Sequence, residues 1–394
     1  MRQSRLTNEH RRESLSFSCV LVSAIFFVVL FQVPILKAPS VVTQVFRPLI
    51  IFFLLITMLR RGAISFPART VAFIAAFHCC LVLLYNSMSV DEITGGVSVI
   101  LYLLMFCAVT GMPWNKREVR FIIMACFLGA FVCAIALFLS NDPTDLHVGS
   151  SGDMKMLGVH VNRNKNAYAF ATGTIIGVSY LLKGKKNFLV AIITAVLVYG
   201  LLYSQCRGAF FCTVLGVSIL ILGWLLDIKK KNEAKFLVYS ILFVLFCIAA
   251  YYLLKNSELN RLIDGESKSG RDDGMKYAWN LFLNGDFFEI VFGHGFTFEE
   301  NNTVGPISHL VYTQYLLSTG AIGTLLIVAM ITLSGLKVRG SVSYALFANA
   351  ILRTFFESLD YYIYIPLILS VIIYLYSSSH GTTANSLFRN NRTI

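Results

Sequence analysis

The residue best suited to proton transfer in this sequence is a histidine at the start of an apolar run. His309 stands in GPISHLVYTQYLLSTGAIG, directly after a long polar segment. Because the unperturbed pKa of histidine is close to neutral pH, a histidine at such a boundary can act as a general base on a hydroxyl group. The alternative interpretation is an interfacial polar residue without a chemical role.

Arg207 is suited to binding phosphate. It stands in the short turn SQCRGAF between two apolar runs. If both runs cross a membrane, the turn holds the guanidinium group at the level of the lipid headgroups. A guanidinium group stays charged and donates hydrogen bonds in pairs to phosphate oxygens. Contact with lipid phosphates is the alternative to a substrate site.

Arg353 lies inside a predicted span, where an arginine needs a partner or a polar cavity. Placing a cation at the centre of a membrane helix costs about 2.5–3.5 kcal/mol on insertion scales. Glu357 follows four residues later, on the same face of a helix. The sequence therefore predicts either a buried ion pair within one helix or a charged wall of a binding site.

Two further segments contain candidate ligands for a substrate. The run HVNRNKN contains Arg163, Lys165 and Asn166, and it is either a wall of the site or a solvated loop. FGHGF places His294 between two glycines, which predicts a tight turn and a supporting role beside the site. The seven histidines show no metal-ligand spacing, so we expect no metal.

The amino-acid composition of the chain is typical of a membrane protein. Of its 394 residues, 56% are hydrophobic and 14% are charged, and the mean hydropathy is +0.70. Twelve apolar runs suit helices that cross roughly 30 Å of hydrocarbon. The sequence therefore predicts an all-α polytopic membrane protein with a single membrane domain over residues 1–394. The predicted spans are 16–36, 42–59, 70–86, 95–112, 121–139, 167–183, 188–205, 209–227, 236–254, 310–334, 343–359 and 361–378.

The lysines and arginines predict the orientation of these spans. The segments on one side contain 21 of the 33 basic residues, which marks that side as cytoplasmic and places both termini there. The remaining 12 lie on the other side or inside spans, where topology does not explain them. An anionic, lipid-linked substrate on the outer face would explain these basic residues. The basic residues form short clusters at span ends, which argues against nucleic-acid binding.

Two outer segments, 140–166 and 255–308, are long. A loop of the second length in a compact membrane protein is usually functional or separately folded. Within it, residues 271–283 predict an amphipathic helix with its apolar residues on one face. We expect that helix to lie along the membrane surface.

Four segments resemble the bacterial family of O-antigen ligases and Wzy-type polysaccharide polymerases, which are membrane glycosyltransferases. They are NRNKNAYAFATG, CRGAFF, GRDDGMKYAWNLFLNGDFFEIVFGHGF and the segment that runs from His309 to Gly323. The last segment has the family's histidine, then Gly320 eleven residues later, then Gly323. Leu310 follows the histidine, where the family usually has Asn, Ser or Gln. The Asn-Lys-Asn of the first segment looks slightly more like the polymerases, whereas Arg353, Phe356, Glu357 and Asp360 resemble a pattern near the end of some ligases.

The resemblance implies a GT-C-like fold in the bacterial inner membrane, with the active site facing the periplasm. The donor would be a glycan on undecaprenyl pyrophosphate, held by Arg207 and Arg271. Arg163 or Arg353 would assist them, and His309 would deprotonate the acceptor hydroxyl. Guanidinium groups would take the place of a divalent cation, so no cofactor is expected. Membrane lipids and a chain-length regulator are the other expected partners.

The expected activity is polymerisation, in which the growing chain is transferred onto the next lipid-linked repeat unit. The first alternative is ligation of the finished glycan onto lipid A-core, which uses the same donor chemistry. The second is a lipid-linked sugar flippase or transporter, which needs a charged central cavity reachable from both sides. The unexplained cations are confined to the outer half, which favours transfer over transport.

Overall fold

The computed structural model describes residues 15–31, 40–61, 66–86, 90–139, 153–156, 159–183, 187–204, 206–229, 271–296, 311–355, 361–379 and 387. The helices in these ranges are α1 (Phe17–Phe31), α2 (Ser40–Arg61), α3 (Pro67–Tyr85), α4 (Val90–Gly111), α5 (Lys116–Phe138), α6 (Arg163–Lys183), α7 (Phe188–Tyr203), α8 (Arg207–Lys229), α9 (Arg271–Asn284), α10 (Phe287–Phe292), α11 (Val311–Lys337), α12 (Ser341–Arg353) and α13 (Tyr361–Ser379). Two short strands, β1 (Asp153–Met156) and β2 (Val159–Asn162), form an antiparallel hairpin in front of α6.

The described chain is a helical membrane protein by the length and composition of its helices. Four helices are long and apolar enough to cross a membrane: Pro67–Tyr85, Lys116–Phe138, Arg207–Asp227 and Tyr312–Lys337. The predicted span 236–254 lies outside the described residues. Each of the other eleven predicted spans coincides with a described helix. The number of membrane crossings, twelve, stays a prediction.

Two of the boundaries that differ from the sequence-based expectation lie beside predicted site residues. The loop predicted over 140–166 ends earlier, because α6 begins at Arg163. The span predicted over 343–359 is also shorter, since α12 ends at Arg353. Thr354 closes that helix: its hydroxyl group donates to the Ile351 carbonyl oxygen at 2.6 Å, which tightens the last turn. Arg353 is therefore the last residue of a helix and does not lie in its middle.

The larger predicted loop contains two described helices. The amphipathic helix predicted at 271–283 is present as α9, and its position at the membrane surface stays a prediction. The short helix α10 follows it and was not predicted. A capping box begins α10: the Asp286 side chain accepts from the Glu289 N–H at 2.8 Å, and the Glu289 carboxylate accepts from the Asp286 N–H at 2.9 Å.

Close contacts at two glycines show that α8 and α12 run in opposite directions. A Cβ atom at Gly216 would lie 3.3 Å from the Ala345 carbonyl oxygen, and one at Gly223 would lie 2.5 Å from the Ser341 Cβ. Moving toward the start of α8 therefore means moving toward the end of α12. The N-terminus of α8 and the C-terminus of α12 lie at the same end of the bundle.

The helix α6 is central and runs antiparallel to α12. It packs against α5, α7, α8 and α12, and residues 166–172 are all buried. The Asn349 amide donates to the Thr172 hydroxyl group at 3.4 Å, while Arg353, one turn further along α12, lies over Tyr168, one turn earlier in α6. The N-terminus of α6 thus joins the N-terminus of α8 and the C-terminus of α12.

Candidate functional site

Three helix ends bring predicted site residues together. The first turn of α6 contains Arg163, Lys165 and Asn166. The helix α8 begins with Arg207, and α12 ends with Arg353. We call these five residues the cationic end. The N-termini of α6 and α8 add N–H groups without partners in their own helix and the positive ends of two helix dipoles. The C-terminus of α12 adds one negative dipole end, which the charge of Arg353 opposes.

The two arginines of α8 and α12 lie at nearly the same height in the bundle. Gly216 and Ala345 face each other. Arg207 precedes Gly216 by nine residues, and Arg353 follows Ala345 by eight. At about 1.5 Å of rise per residue, these distances along the two helices are roughly 13.5 Å and 12 Å. The prediction that both arginines lie at one face of the membrane domain agrees with this geometry.

Arg353 is buried against an aromatic ring. Only 1% of its surface is exposed, and its Cζ atom lies 4.0 Å from the centre of the Tyr168 ring. A cation over the face of an aromatic ring is stabilised by about 2 kcal/mol when the pair is desolvated. Burial also fixes the plane of the guanidinium group. Arg353 therefore contributes a fixed positive charge to the cationic end from a buried position, and its contact with substrate stays a prediction.

Asn166 has a packing role in this structure. It is fully buried, and its Oδ1 atom accepts a hydrogen bond from the Cys133 thiol at 3.7 Å. That contact joins the start of α6 to the last turns of α5. Lys165, the residue before it, is half-buried. Of these two predicted ligands, the lysine is the one that keeps part of its surface exposed.

Arg207 lies where the sequence predicts it, after a tight turn. Ser204 ends α7, and its hydroxyl group donates to the Leu201 carbonyl oxygen at 2.6 Å. The same hydroxyl oxygen accepts from the Cys206 N–H at 3.5 Å, directly before α8 begins. Arg207 is half-buried. The turn therefore fixes the backbone of Arg207, and its side chain is partly exposed.

An open groove of about 760 Å³ lies between α9 and α11. Its volume falls in the range typical of ligand sites. It is lined by Lys276, Trp279, Asn280, Tyr312, Thr313, Leu316 and Thr324. Lys276 gives the groove a cation, and Trp279, with 52% of its surface exposed, gives it an aromatic face.

The groove is joined to the cationic end through one tyrosine. The Tyr312 hydroxyl group lies 3.0 Å from the Thr354 hydroxyl group and donates to it, because the one Thr354 hydroxyl proton is directed at the Ile351 carbonyl oxygen. Thr354 directly follows Arg353, and Tyr312 lines the groove. A ligand in the groove would therefore lie next to the cationic end, with Tyr312 between the two.

His294 supports the wall of the groove from behind. The prediction of a tight turn is confirmed, because Gly293 and Gly295 have φ angles of 78° and 96°. The backbone N–H of His294 donates to the Leu317 carbonyl oxygen at 2.6 Å. The Nδ1 atom of the His294 ring lies 3.4 Å from the Glu289 carboxylate. His294 is therefore tied to α11, the helix that lines the groove.

Several predicted residues cannot be placed. His309 and Glu357 lie outside the described residues, and so do the side chains of Arg163 and Arg271. The general base and the ion pair between Arg353 and Glu357 thus stay predictions. In the described ranges, no group of three or more His, Cys, Asp or Glu side chains could hold a metal ion. The expectation of a metal-free site also stays a prediction.

The sequence-based reasoning missed three residues of this region. Tyr168 was not selected, because nothing in the sequence pairs α6 with α12. Tyr312 was missed for the same reason. Lys276 was recognised only as one of the outer cations. A signal was present in this case, because Lys276 lies three residues before Trp279, on the same face of the predicted amphipathic helix.

Comparison with known proteins adds no relative. No protein-family model matches the chain, and no curated protein matches its sequence. The resemblance to ligases and polymerases therefore depends on the sequence alone, chiefly on the four short segments.

Proposed function

We propose that the chain is a membrane glycosyltransferase that polymerises oligosaccharide repeat units carried on a polyprenyl pyrophosphate. It would act at the outer face of the bacterial inner membrane, with both termini in the cytoplasm. The observation that carries this proposal is the meeting of three helix ends, with Arg207, Lys165 and the buried Arg353, beside a groove of substrate size.

The cationic end suits the donor. In the transfer, the bond between the anomeric carbon of the donor glycan and the pyrophosphate oxygen breaks, and negative charge develops on the pyrophosphate. Arg207 would donate paired hydrogen bonds to two oxygens of the pyrophosphate. The buried charge of Arg353 and the N-termini of α6 and α8 favour the same charge without moving. Arg163 and Arg271, which begin α6 and α9, are the further candidates for this role.

The groove suits the acceptor. Asn280, Thr313 and Thr324 offer hydrogen-bonding groups, Trp279 offers an aromatic face, and Lys276 offers a cation for a lipid phosphate. The acceptor hydroxyl group forms the new bond to the anomeric carbon and loses its proton to His309. In the chain, His309 comes three residues before Tyr312, the tyrosine that separates the groove from the cationic end.

The same donor step serves ligation onto lipid A-core, so the acceptor decides between the two activities. Transport of a lipid-linked sugar requires a polar route from both sides. The described site residues lie instead at one end of the bundle. This arrangement supports transfer at one membrane face.

A lipopolysaccharide gel tests the proposal. A strain without the gene is complemented with the wild type, with His309→Ala or with His380→Ala, a control in the C-terminal tail. We expect core with a single repeat unit in the deletion strain and in His309→Ala, and a full ladder in the other two. Bare core with long glycan retained on its lipid carrier would identify a ligase. An unchanged ladder and unchanged capsule in the deletion strain would contradict the proposal.

A further inference from the structure

The helix α11 is interrupted at Gly320. This residue has φ 69° and ψ −169°, a conformation outside the helical region that favours glycine. A Cβ atom here would collide with the Val291 backbone of α10. The interruption releases carbonyl groups in the preceding turn from their usual partners four residues later. Buried carbonyl groups without donors are costly, so donors must come from elsewhere.

Two other segments supply those donors. The His294 N–H donates to the Leu317 carbonyl oxygen at 2.6 Å. The His78 Nε2 atom, from α3, lies 2.9 Å from the Thr319 carbonyl oxygen. Because a carbonyl oxygen only accepts, Nε2 carries the proton in this hydrogen bond. His78 is buried, so water does not compete for the contact.

The first half of segment 287–296 runs inward along α3. Phe288 stacks on Tyr85, the last residue of α3, with ring centres 5.7 Å apart. Phe292 stacks on Tyr85 at 5.6 Å and on His78 at 5.7 Å. His78 comes seven residues before Tyr85, which is about 10 Å deeper along the helix. The segment therefore reaches well inside one of the candidate spans.

The second half of the segment returns toward the same end of the bundle. After the turn at Gly293, Phe296 packs against Gly95 in the first turns of α4, where a Cβ atom would lie 3.1 Å from the Phe296 Cβ. Gly96, the next residue, lies against Leu83 near the end of α3. Segment 287–296 is thus re-entrant, and its tip is seated in the interruption of α11. Non-helical backbone at this depth is tolerated because protein surrounds it.

From this geometry we infer that His78 is a positioning residue for the groove. By holding Thr319, it fixes the direction of residues 311–319, the part of α11 before the interruption. That part carries Tyr312, Thr313 and Leu316 into the groove and follows His309 in the chain. The effect on transfer rests on the proposed function. The contact between His78 and the interrupted helix does not.

Three variants separate the hydrogen bond from the other contacts of the side chain. His78→Phe keeps a ring against Phe292 but removes the donor. His78→Gln keeps a donor at a similar distance from the backbone. Phe77→Leu, at an exposed neighbouring position of α3, is the matched control. Should His78→Phe fail to reach the membrane, His78→Asn replaces it, because its amide is polar but too short to span the contact.

Hydrogen–deuterium exchange on the purified full chain tests the contact itself. We expect the peptide that contains His294 to exchange at least tenfold faster in His78→Phe than in the wild type. His78→Gln and Phe77→Leu should keep the wild-type rate. An unchanged rate in both His78→Phe and His78→Asn would overturn the inferred contact.

Transfer kinetics on the same preparations test the positioning role. We expect His78→Phe to raise the apparent KM for the lipid-linked acceptor about tenfold, and His78→Gln to restore it. A faster-exchanging His78→Phe with wild-type KM and kcat would overturn the positioning role. A wild-type protein without transfer activity would overturn the proposed function, and the exchange rates would still decide whether His78 holds the interrupted helix.

Discussion

The cationic end and the groove both present positive charge, but they hold it in different ways. Arg353 is buried over the face of the Tyr168 ring, whereas Lys276 is exposed at an open groove. A buried charge has one orientation and acts where water is scarce, which strengthens its field. An exposed lysine is flexible, and salt screens it. The first arrangement suits a group whose charge changes during the reaction, and the second suits a group that only has to be bound.

This difference assigns separate kinetic roles to the two regions. Interactions that strengthen in the transition state raise kcat, whereas interactions that are equal in the ground state and the transition state change only KM. Variants of the cationic end should therefore lower kcat. Variants of the groove should raise the KM for the acceptor. The four predictions below test this separation, from the largest expected effect to the smallest.

Replacing Arg353 with methionine should have the largest effect. We expect Arg353→Met to lower kcat by about 100- to 1000-fold, the range for losing one preorganised electrostatic contact. The thermal unfolding temperature is measured on the same preparation, so that a loss of folded protein is distinguished from a loss of kcat. Arg339→Met, at the exposed position before the other end of α12, is the control. A kcat within threefold of wild type would contradict the assigned role.

Replacing Arg207 with lysine should lower kcat by about 10- to 100-fold. Lysine keeps the charge but lacks the planar pair of donors that matches phosphate oxygens. Steady-state kinetics with a lipid-linked donor measure the effect, and Arg339→Lys serves as the control at an exposed site. Full activity in Arg207→Lys would show that a simple positive charge is sufficient there.

Removing the ring of Tyr168 should have an intermediate effect. We expect Tyr168→Leu to lower kcat by about 3- to 30-fold, because the guanidinium group loses a cation–π contact of roughly 0.5–2 kcal/mol. Tyr168→Phe keeps the ring and should stay close to wild type. The pair of variants is compared at equal membrane levels. An equal loss of kcat in Tyr168→Leu and Tyr168→Phe would show that the hydroxyl group, and not the ring, is the part of Tyr168 that matters.

Neutralising Lys276 should have the smallest effect. We expect Lys276→Gln to raise the KM for the acceptor about two- to fivefold at low salt, with kcat unchanged. The difference from wild type should shrink as the salt concentration rises, because salt screens an exposed charge. Lys337→Gln, at the exposed far end of α11, is the control. A fall in kcat for Lys276→Gln would place this lysine in the chemical step.

The sequence predicts the helices more fully than the site. Apolar runs of span length depend on composition, and eleven of them coincide with described helices. Arg207 was placed correctly because a short turn between two such runs leaves few alternatives. Tyr168 beneath Arg353 could not be predicted, since that contact arises only when α6 and α12 pack together.

The interruption of α11 could not be predicted from the sequence either. Gly320 lies against the Val291 backbone, and a Cβ atom at Gly323 would lie 3.2 Å from the His78 ring. Hydropathy is the same whether a glycine is helical or has a positive φ angle, so the change of direction leaves no trace in the pattern. The segment that enters the interruption contains a helix of only six residues, too short to show a periodicity.

The most direct test of the central claim is glycan transfer by the purified chain in lipid nanodiscs. A synthetic repeat unit on polyprenyl pyrophosphate is the substrate, and mass spectrometry measures both products. We expect one polyprenyl pyrophosphate to be released for each repeat unit added to the glycan, with both products lost in Arg353→Met and His309→Ala. Absence of glycan growth in the wild type, or growth that does not depend on Arg353 and His309, would contradict the account.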